Sequence, residues 1–415
     1  MKRIEAWIQS HLVPIVKKIS DNFWFSIVAD AVLYIVPFSM VSAIPSLWGI
    51  IRKFVPTLPD LTPLSTYSFG LIGLFVVFVI PFNALEKLGR KDRATIAGFT
   101  GIGAFLLCMH MKLAPATGLA KINMNYLGAP GMFTAIVVGL VVSLVYKLMA
   151  KFSFFGEDSP LPDFVKNWFD NIIAIIISLF IGWILVDICN LNVFTLVTML
   201  MKPVTGFAQT IWGVMFITLL QNIFYFFGVS GWVFTPVTRT ITQAAIAENT
   251  AAIAAGKQAT NIYAYGFSRY TMIGGQACTL PLAFMMLFAK SRKNKLLGKA
   301  TIIPSLFNIN EPLFYGTVVN NPFMFIPIIL ISIITSGLSW IVMHFGFASI
   351  NHVMFDMNFA PNAVSAFVMS GGDWRNVVLV CVNFMIAALI WYPFFKASDK
   401  FELGKEQAQL AKEGK

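Results

Sequence analysis

Long apolar runs, broken by short polar and mostly basic segments, set the pattern of this chain. The runs are Thr66 to Leu85, Ala94 to Met111, Met132 to Tyr146, Asn171 to Val186, Tyr270 to Ala289 and Asn376 to Phe395, and Pro203 to Thr238 is a further uncharged stretch. A bilayer core of roughly 30 Å needs about 20 apolar residues in a helix. Several runs reach that length, and the shorter ones can extend into neighbouring polar turns. The pattern predicts spans at about 24–51, 66–87, 94–111, 132–150 and 170–188 in the first half. In the second half it predicts spans at about 207–229, 270–290, 322–345 and 376–396. An all-α integral membrane protein is expected, with no soluble domain of useful size.

Composition agrees. The 415 residues are 57% hydrophobic, against about 45–50% for ordinary soluble domains, which excludes a single anchor on a soluble body. The net charge of +11 does not point to nucleic acid, because the Lys and Arg residues form no single patch. They fall between the apolar runs, as expected where basic loops face the cytoplasm. Lys2, Arg3, Lys17 and Lys18 precede the first span, Lys87 to Arg93 follow the second, and Lys290 to Lys299 form the strongest cluster. Basic residues at both ends want both termini inside, which requires an even number of crossings. Nine spans are counted, so 233–266 is the expected place of a missed one. No cleavable leader is read at the start: Ile4, Trp7, Ile8, Leu12 and Ile15 share one helical face of an interfacial helix. Cys108, Cys189, Cys278 and Cys381 form no CxxC pair and read as buried small hydrophobes. No zinc-type ligand cluster, Walker loop or nucleophile triad occurs, and no cofactor is expected.

Two stretches, Leu297 to Asn321 and Ala348 to Gly372, resemble neither spans nor ordinary loops. Irregular backbone at membrane depth survives only inside protein or along a wet cavity, and transporters place broken elements around their substrate. The second half is therefore expected to hold the site and the first half to be scaffold. The sharpest feature is FNINEPLFYG, residues 307–316. An ionised acid such as Glu311 costs about 2.5–3.5 kcal/mol at the centre of a lipid-facing helix. Pro312 suits the first turn of a short helix, so Asn308, Asn310 and Glu311 gather at a hairpin tip. Two amides and a carboxylate can donate to and accept from hydroxyl groups, which is what a sugar presents. A plainer reading makes Glu311 a helix cap at the water interface that binds nothing.

FNINEP followed by NNPFMFIPIIL resembles the signature of the membrane component, enzyme IIC, of the lactose/cellobiose family of bacterial sugar phosphotransferase systems. Other landmarks follow in the family's order: LGAPGMFTAIVV at 127–138, AAIAAGK at 251–257, GGQACTLPLAFMMLFAKSRKNKLLGK at 274–299, GGDWR at 371–375 and WYPFFK at 391–396. The likeness runs from about residue 24 to 400. It implies a homodimer in the bacterial plasma membrane, each protomer with about ten transmembrane helices and re-entrant hairpins. It divides the chain into 1–190, an interfacial helix and dimerisation bundle; 191–206, an amphipathic linker; 207–400, a substrate-binding bundle; and 401–415, a polar cytoplasmic tail. It implies transport of a sugar, usually a disaccharide or β-glycoside, phosphorylated at a 6-hydroxyl. The donor is a phosphocysteine on a separate enzyme IIB, itself charged by enzyme IIA. Glu311 then binds the hydroxyl to be phosphorylated and helps remove its proton, while Asn308 and Asn310 shape the pocket.

The chain departs from the family pattern at three places. FFGVSG at 226–231 stands where a glycine-any-histidine-glycine motif is usual, so Ser230 replaces the sugar-contacting histidine and Gly231 keeps the closing glycine. Serine bonds a hydroxyl but does not titrate near neutral pH. Asn358, Phe359, Ala360 and Pro361 replace a Trp-Thr-Thr-Pro run, leaving Phe359 to stack on a sugar ring. LPD at 161–163 replaces a VPP-like sequence. Two readings stand beside the phosphotransferase one. The first is an ion-coupled transporter with Glu311 or Asp30 cycling protons, in which Asp187 and Asp356 extend a proton path. The second is a non-transporting sensor on the same scaffold.

Overall fold

A computed structural model describes residue 18 and residues 21–109, 112–114, 119–150, 152–155, 161–229 and 231–412. The expected interfacial helix at the start of the chain lies outside these residues, apart from Lys18. Among the described residues, six helices are long and apolar enough to cross a bilayer, and two bent pairs raise the figure to eight.

The first predicted span is broken in three: α1 (Phe23–Tyr34), α2 (Val36–Val41) and α3 (Ala43–Phe54). Pro37 at the start of α2 has no N–H to continue the helix, which explains the break. Then come α4 (Ile72–Lys87), α5 (Lys91–Cys108) and α6 (Met132–Leu148), which pack on one another, and α7 (Asp163–Trp183). Between α5 and α6 lies a small antiparallel hairpin of Lys112–Ala114 with Leu119–Lys121. Small residues let the helix backbones approach: a Cβ on Gly101 of α5 would lie 2.4 Å from the Val77 carbonyl of α4. Lys91, Asp92 and Arg93 put three charges in the first turn of α5 and make it more polar than its neighbours.

The second half opens with α8 (Val193–Ala208), bent by 82° against α9 (Ile211–Phe226). Gln209 sits in the bend, exchanging hydrogen bonds with the Tyr263 backbone at 2.8 and 3.2 Å and accepting from the Trp340 indole at 2.7 Å. The stretch expected to hold a missed crossing, 233–266, contains α10 (Thr235–Ala254), a 20-residue helix that is too polar to count among the candidate spans. Hydropathy passes over it because Arg239, Gln243 and Asn249 are buried on protein rather than facing lipid. After a short helical turn, Ser268–Thr271, come α11 (Leu280–Leu287), α12 (Arg292–Leu306), α13 (Pro322–His344), α14 (Asn362–Met369) and α15 (Trp374–Lys412). The expected polar tail continues α15 as helix as far as Lys412.

Buried apolar side chains form two large clusters, one running from Ile27 to Val197 and the other from Ala208 to Phe395. Polar bonds tie the second bundle together. Asn222 of α9 donates to Ser332 of α13 at 2.9 Å, and Asn383 of α15 donates to Ser339 and to the Tyr270 carbonyl. Bonds of this kind between membrane helices average about 0.6 kcal/mol each. Cys108 and Cys278 are buried as expected, but Cys189 and Cys381 are exposed. An exposed Cys on an apolar helix is consistent with a lipid-facing surface, which sequence alone did not distinguish from a packed one.

Candidate substrate site

Three irregular segments, two of them holding only short helical turns, meet in the second bundle: 263–279, 307–318 and 348–361. They surround a cavity of about 430 Å³, within the range of small-molecule sites. Asn308, Asn310, Glu311 and Phe359 all line it. Gly231 opens the helical turn Gly231–Phe234, and Ser230 lies outside the described residues.

The hairpin tip is built by its amides. Asn308 adopts a left-handed φ of 63°, which Asn tolerates better than most residues. Its side chain accepts from the Gly274 N–H at 3.1 Å and donates to the carbonyls of Ala360 at 2.8 Å and Asn358 at 3.3 Å. One amide thus fastens all three segments. Asn310 is 2% exposed and donates to the Gln276 carbonyl at 3.1 Å and the Thr279 hydroxyl at 2.7 Å. It lies so close to Gly275, whose φ is 105°, that a Cβ there would fall 2.2 Å from the Asn310 carboxamide carbon. Both amides are therefore engaged with the protein, and Asn310 is held from below.

Glu311 differs. It starts the short helix Glu311–Leu313, with Pro312 in its first turn as the sequence predicts, and a wide turn closes behind it through the Val319 N–H to the Phe314 carbonyl at 2.9 Å. The Glu311 side chain is exposed, and among the described residues no hydrogen bond or ion pair reaches its carboxylate. It faces a cavity also lined by Tyr225 and Tyr315, whose rings meet edge to face at 5.8 Å. Phe359 is 60% exposed. The combination offers an open carboxylate, phenolic hydroxyls and an aromatic face, as a polyhydroxylated ligand with apolar ring faces requires.

Sequence reading missed much of the cavity wall. Arg239 and Arg269 line it, although each is only 7% exposed. Arg239 pairs with Asp356, which is fully buried and also accepts from the Tyr265 hydroxyl. Arg269 donates to the Asn358 carbonyl and side-chain oxygen, both at 3.0 Å. The available signal was an arginine just before the apolar run at Tyr270 and another inside an otherwise uncharged helix start. Neither stands out in the sequence, because each lies in a stretch that reads as polar.

Several other polar residues are tied to protein partners or lie away from the cavity lining. Asp30 pairs with Lys87 at 2.7 Å and Asp356 is held by Arg239, while Asp187 is exposed in the turn ending α7. His344 stacks on Trp340 at 4.3 Å, and Trp374 is 67% exposed and outside the cavity lining. Arg90 binds Asp92 and the Ala150 carbonyl, and Arg93 is buried against Asp170. Much of the 87–93 basic cluster is thus engaged within the protein.

Comparison with known proteins bears on these features together. Residues 29–332 match the family model described as phosphotransferase system, EIIC. The oligo-beta-mannoside-specific EIIC component of Bacillus subtilis is 26% identical, the alignment covering 98% of this chain and 96% of that protein. The lactose-specific EIICB component of Streptococcus mutans is also 26% identical, over 95% of this chain and 72% of the longer relative. The crystal structure of ChbC, the IIC component of an N,N'-diacetylchitobiose-specific phosphotransferase system, superposes with a TM-score of 0.87 at 23% identity. That alignment covers 97% of this chain and 99% of that one, and it shows the shared fold. The chain is a multi-pass membrane protein that belongs to the EIIC family of the phosphotransferase system, as a sugar permease component of its lactose/cellobiose branch.

Proposed function

We propose that this EIIC component moves a disaccharide or β-glycoside across the bacterial plasma membrane and presents a 6-hydroxyl for phosphorylation by a separate enzyme IIB. Glu311 accepts the hydrogen bond of that hydroxyl and assists its deprotonation. The observation that carries this reading is the Glu311 carboxylate, unpaired among the described residues, held at the hairpin tip and open to a sugar-sized cavity. Asn308 and Asn310 set its position, and Phe359 supplies the ring face. Ser230 and Gly231 are assigned to the same site through the motif they occupy. The names of the relatives support a glycoside as cargo, since they include oligo-beta-mannoside and lactose systems. We further assign residues 1–190 to the contact between two protomers and 207–400 to substrate binding, with both termini cytoplasmic.

The test is Glu311→Gln. A hydrogen bond to a charged group contributes about 1.5–3 kcal/mol, so binding of the preferred disaccharide should weaken roughly ten- to hundred-fold. The variant should keep the wild-type size on gel filtration. Phosphoryl transfer from enzyme IIB should fall further than binding does, because the proton acceptor is gone. Wild-type affinity in the variant would remove Glu311 from the site. Uptake of unmodified sugar that collapses with an ion gradient would favour a secondary transporter.

A further inference from the structure

Along α9 three polar side chains share one face. Thr218, Gln221 and Tyr225 all line the cavity, and a spacing of three and then four residues stacks them on one side of a helix. From Thr218 to Tyr225 the row rises about 10 Å, the length of two linked sugar rings. Among the described residues no hydrogen bond reaches the side chain of any of the three, and none of their polar atoms is sealed from solvent. Neighbouring polar residues behave otherwise. Ser332, Thr335, Ser336 and Ser339 of α13 each donate back to a carbonyl of their own helix, and Asn222, next to Gln221, donates to Ser332 at 2.9 Å. The exposed Trp212 and Phe216 lie on a different face of α9. Polar groups left open in a membrane bundle belong on a wet cavity, not on lipid. The row also has a direction. Tyr225 packs at the Glu311 end, where its ring meets Phe314 at 4.4 Å and Tyr315 at 5.8 Å. Tyr263, whose backbone N–H donates to Gln209 just ahead of α9, lines the cavity as well, so the hollow extends along the helix away from the hairpin.

We infer that α9 carries the subsite for the second ring of a two-ring cargo. The ring whose hydroxyl meets Glu311 lies against Tyr225, and the ring linked to it lies against Gln221 and Thr218. This rests on the reading of the cavity as the sugar site and of Glu311 as its hydroxyl acceptor. The chemistry of the row fits a sugar. A carboxamide donates and accepts at once, and so does a hydroxyl, so each can bind a sugar hydroxyl in either orientation. Neither Gln221 nor Thr218 carries charge, so the subsite takes a neutral ring. These two are specificity residues: they touch the ring that does not react. Binding there holds the reacting ring in register with Glu311, which is how contacts remote from the chemistry contribute to it.

The experiment uses the full chain in detergent and two pairs of probes: cellobiose with methyl β-glucoside, and β-1,4-mannobiose with methyl β-mannoside. Each pair differs only in the second ring. Calorimetry should show at least one disaccharide binding about ten-fold or more tightly than its methyl glycoside. In Gln221→Ala that advantage should fall about three- to ten-fold, the loss of one or two neutral hydrogen bonds. Adding Thr218→Val should lower it further, whereas Thr218→Ser alone, which keeps the hydroxyl, should hold the wild-type ratio. Tyr225→Phe should weaken disaccharide and methyl glycoside alike. A disaccharide advantage that survives intact in the double variant overturns the inference. A loss shared equally by both probes of a pair overturns it too, since the two residues would then serve the reacting ring or the fold. So does a wild-type protein that binds neither disaccharide more tightly than its methyl glycoside. Phosphorylation of both probes by enzyme IIB, followed in parallel, separates this inference from the parent reading. Transfer to the methyl glycoside with no disaccharide advantage in binding sinks only the inference, and a disaccharide advantage lost in the double variant, without transfer to any probe, sinks only the phosphotransfer reading.

Discussion

Asn308 joins three backbone segments, and a substitution series separates the two reasons it is asparagine. The first is its side chain, with bonds to the Gly274 N–H and to the Asn358 and Ala360 carbonyls. The second is its φ of 63°. Each net hydrogen bond is worth about 1 kcal/mol. Two of the three partners have a second bond: Gly274 N–H also reaches Asn362 at 3.3 Å, and the Asn358 carbonyl also accepts from Arg269. Only the Ala360 carbonyl loses its one side-chain donor. Asn308→Gly, which keeps the backbone conformation, should therefore cost about 2 kcal/mol, toward the lower part of what three full bonds would give. Asn308→Ala loses the same bonds and adds about 1–2 kcal/mol for a left-handed L-residue. The reduced entropy of the unfolded alanine chain returns about 0.4–1 kcal/mol of that. Alanine should thus melt below glycine, by an increment smaller than the step from wild type to glycine. Asn308→Asp keeps the acceptor for Gly274 but sets a carboxylate against two carbonyl oxygens, and should be no better than alanine. Thermal unfolding in detergent, followed by tryptophan fluorescence, gives the ranking. A glycine variant as stable as wild type would refute the bracing role. An alanine variant as stable as glycine would refute the backbone argument.

Two more perturbations test the frame around the site. Asp399 of α15 accepts from the Lys290 and Ser291 N–H groups and from Ser291 and Asn294 side chains, while Glu406 accepts from the N–H groups of Arg292 and Lys293. Together they cap α12, the helix that leads into the Glu311 hairpin, so Asp399→Ala should cost about 0.5–2 kcal/mol and increase amide exchange in the first turn of α12; unchanged exchange there would refute the cap. Asp356→Asn leaves Arg239 buried without its counter-charge and should cost about 3–5 kcal/mol. The double replacement Arg239→Met with Asp356→Leu should cost less than that single change, and a greater loss in the double variant would contradict the pair model.

Much of the architecture is legible in the sequence because hydropathy and membrane thickness act on the same length scale. Most predicted spans lie on a helix between α1 and α15, although the first is broken in three and the one at 270–290 is irregular as far as α11, and the proline break at Glu311 falls where the residues place it. Legibility fails where burial inside protein replaces burial in lipid. Thr235–Ala254 is a full-length helix, yet its Arg239, Gln243 and Asn249 face the neighbouring segments, so composition alone reads it as a loop. The same cause hid the arginines of the wall. A periodicity that predicts which face of a helix is apolar says nothing about which polar residues on the other face converge with residues distant in the chain. The Arg239 to Asp356 pair joins positions 117 apart.

The polar residues of the second bundle fall into two physical groups, and the distinction decides which of them belongs to a ligand. Asn222, Asn351, Asn362, Asn376 and Asn383 are at most 5% exposed, and each donates hydrogen bonds to other protein groups. They are the cost of running irregular backbone at membrane depth, where a free N–H or C=O has no water to turn to. Among the described residues Glu311 has no such partner, and it remains open to the cavity. Each of the buried amides has at least one protein partner, although the Oδ1 atoms of Asn222 and Asn383 have none among the described residues; a carboxylate without any partner at the hairpin tip is a different case, which packing alone does not explain. Amides tied to the protein build the cavity, and the carboxylate left open to it points to what enters.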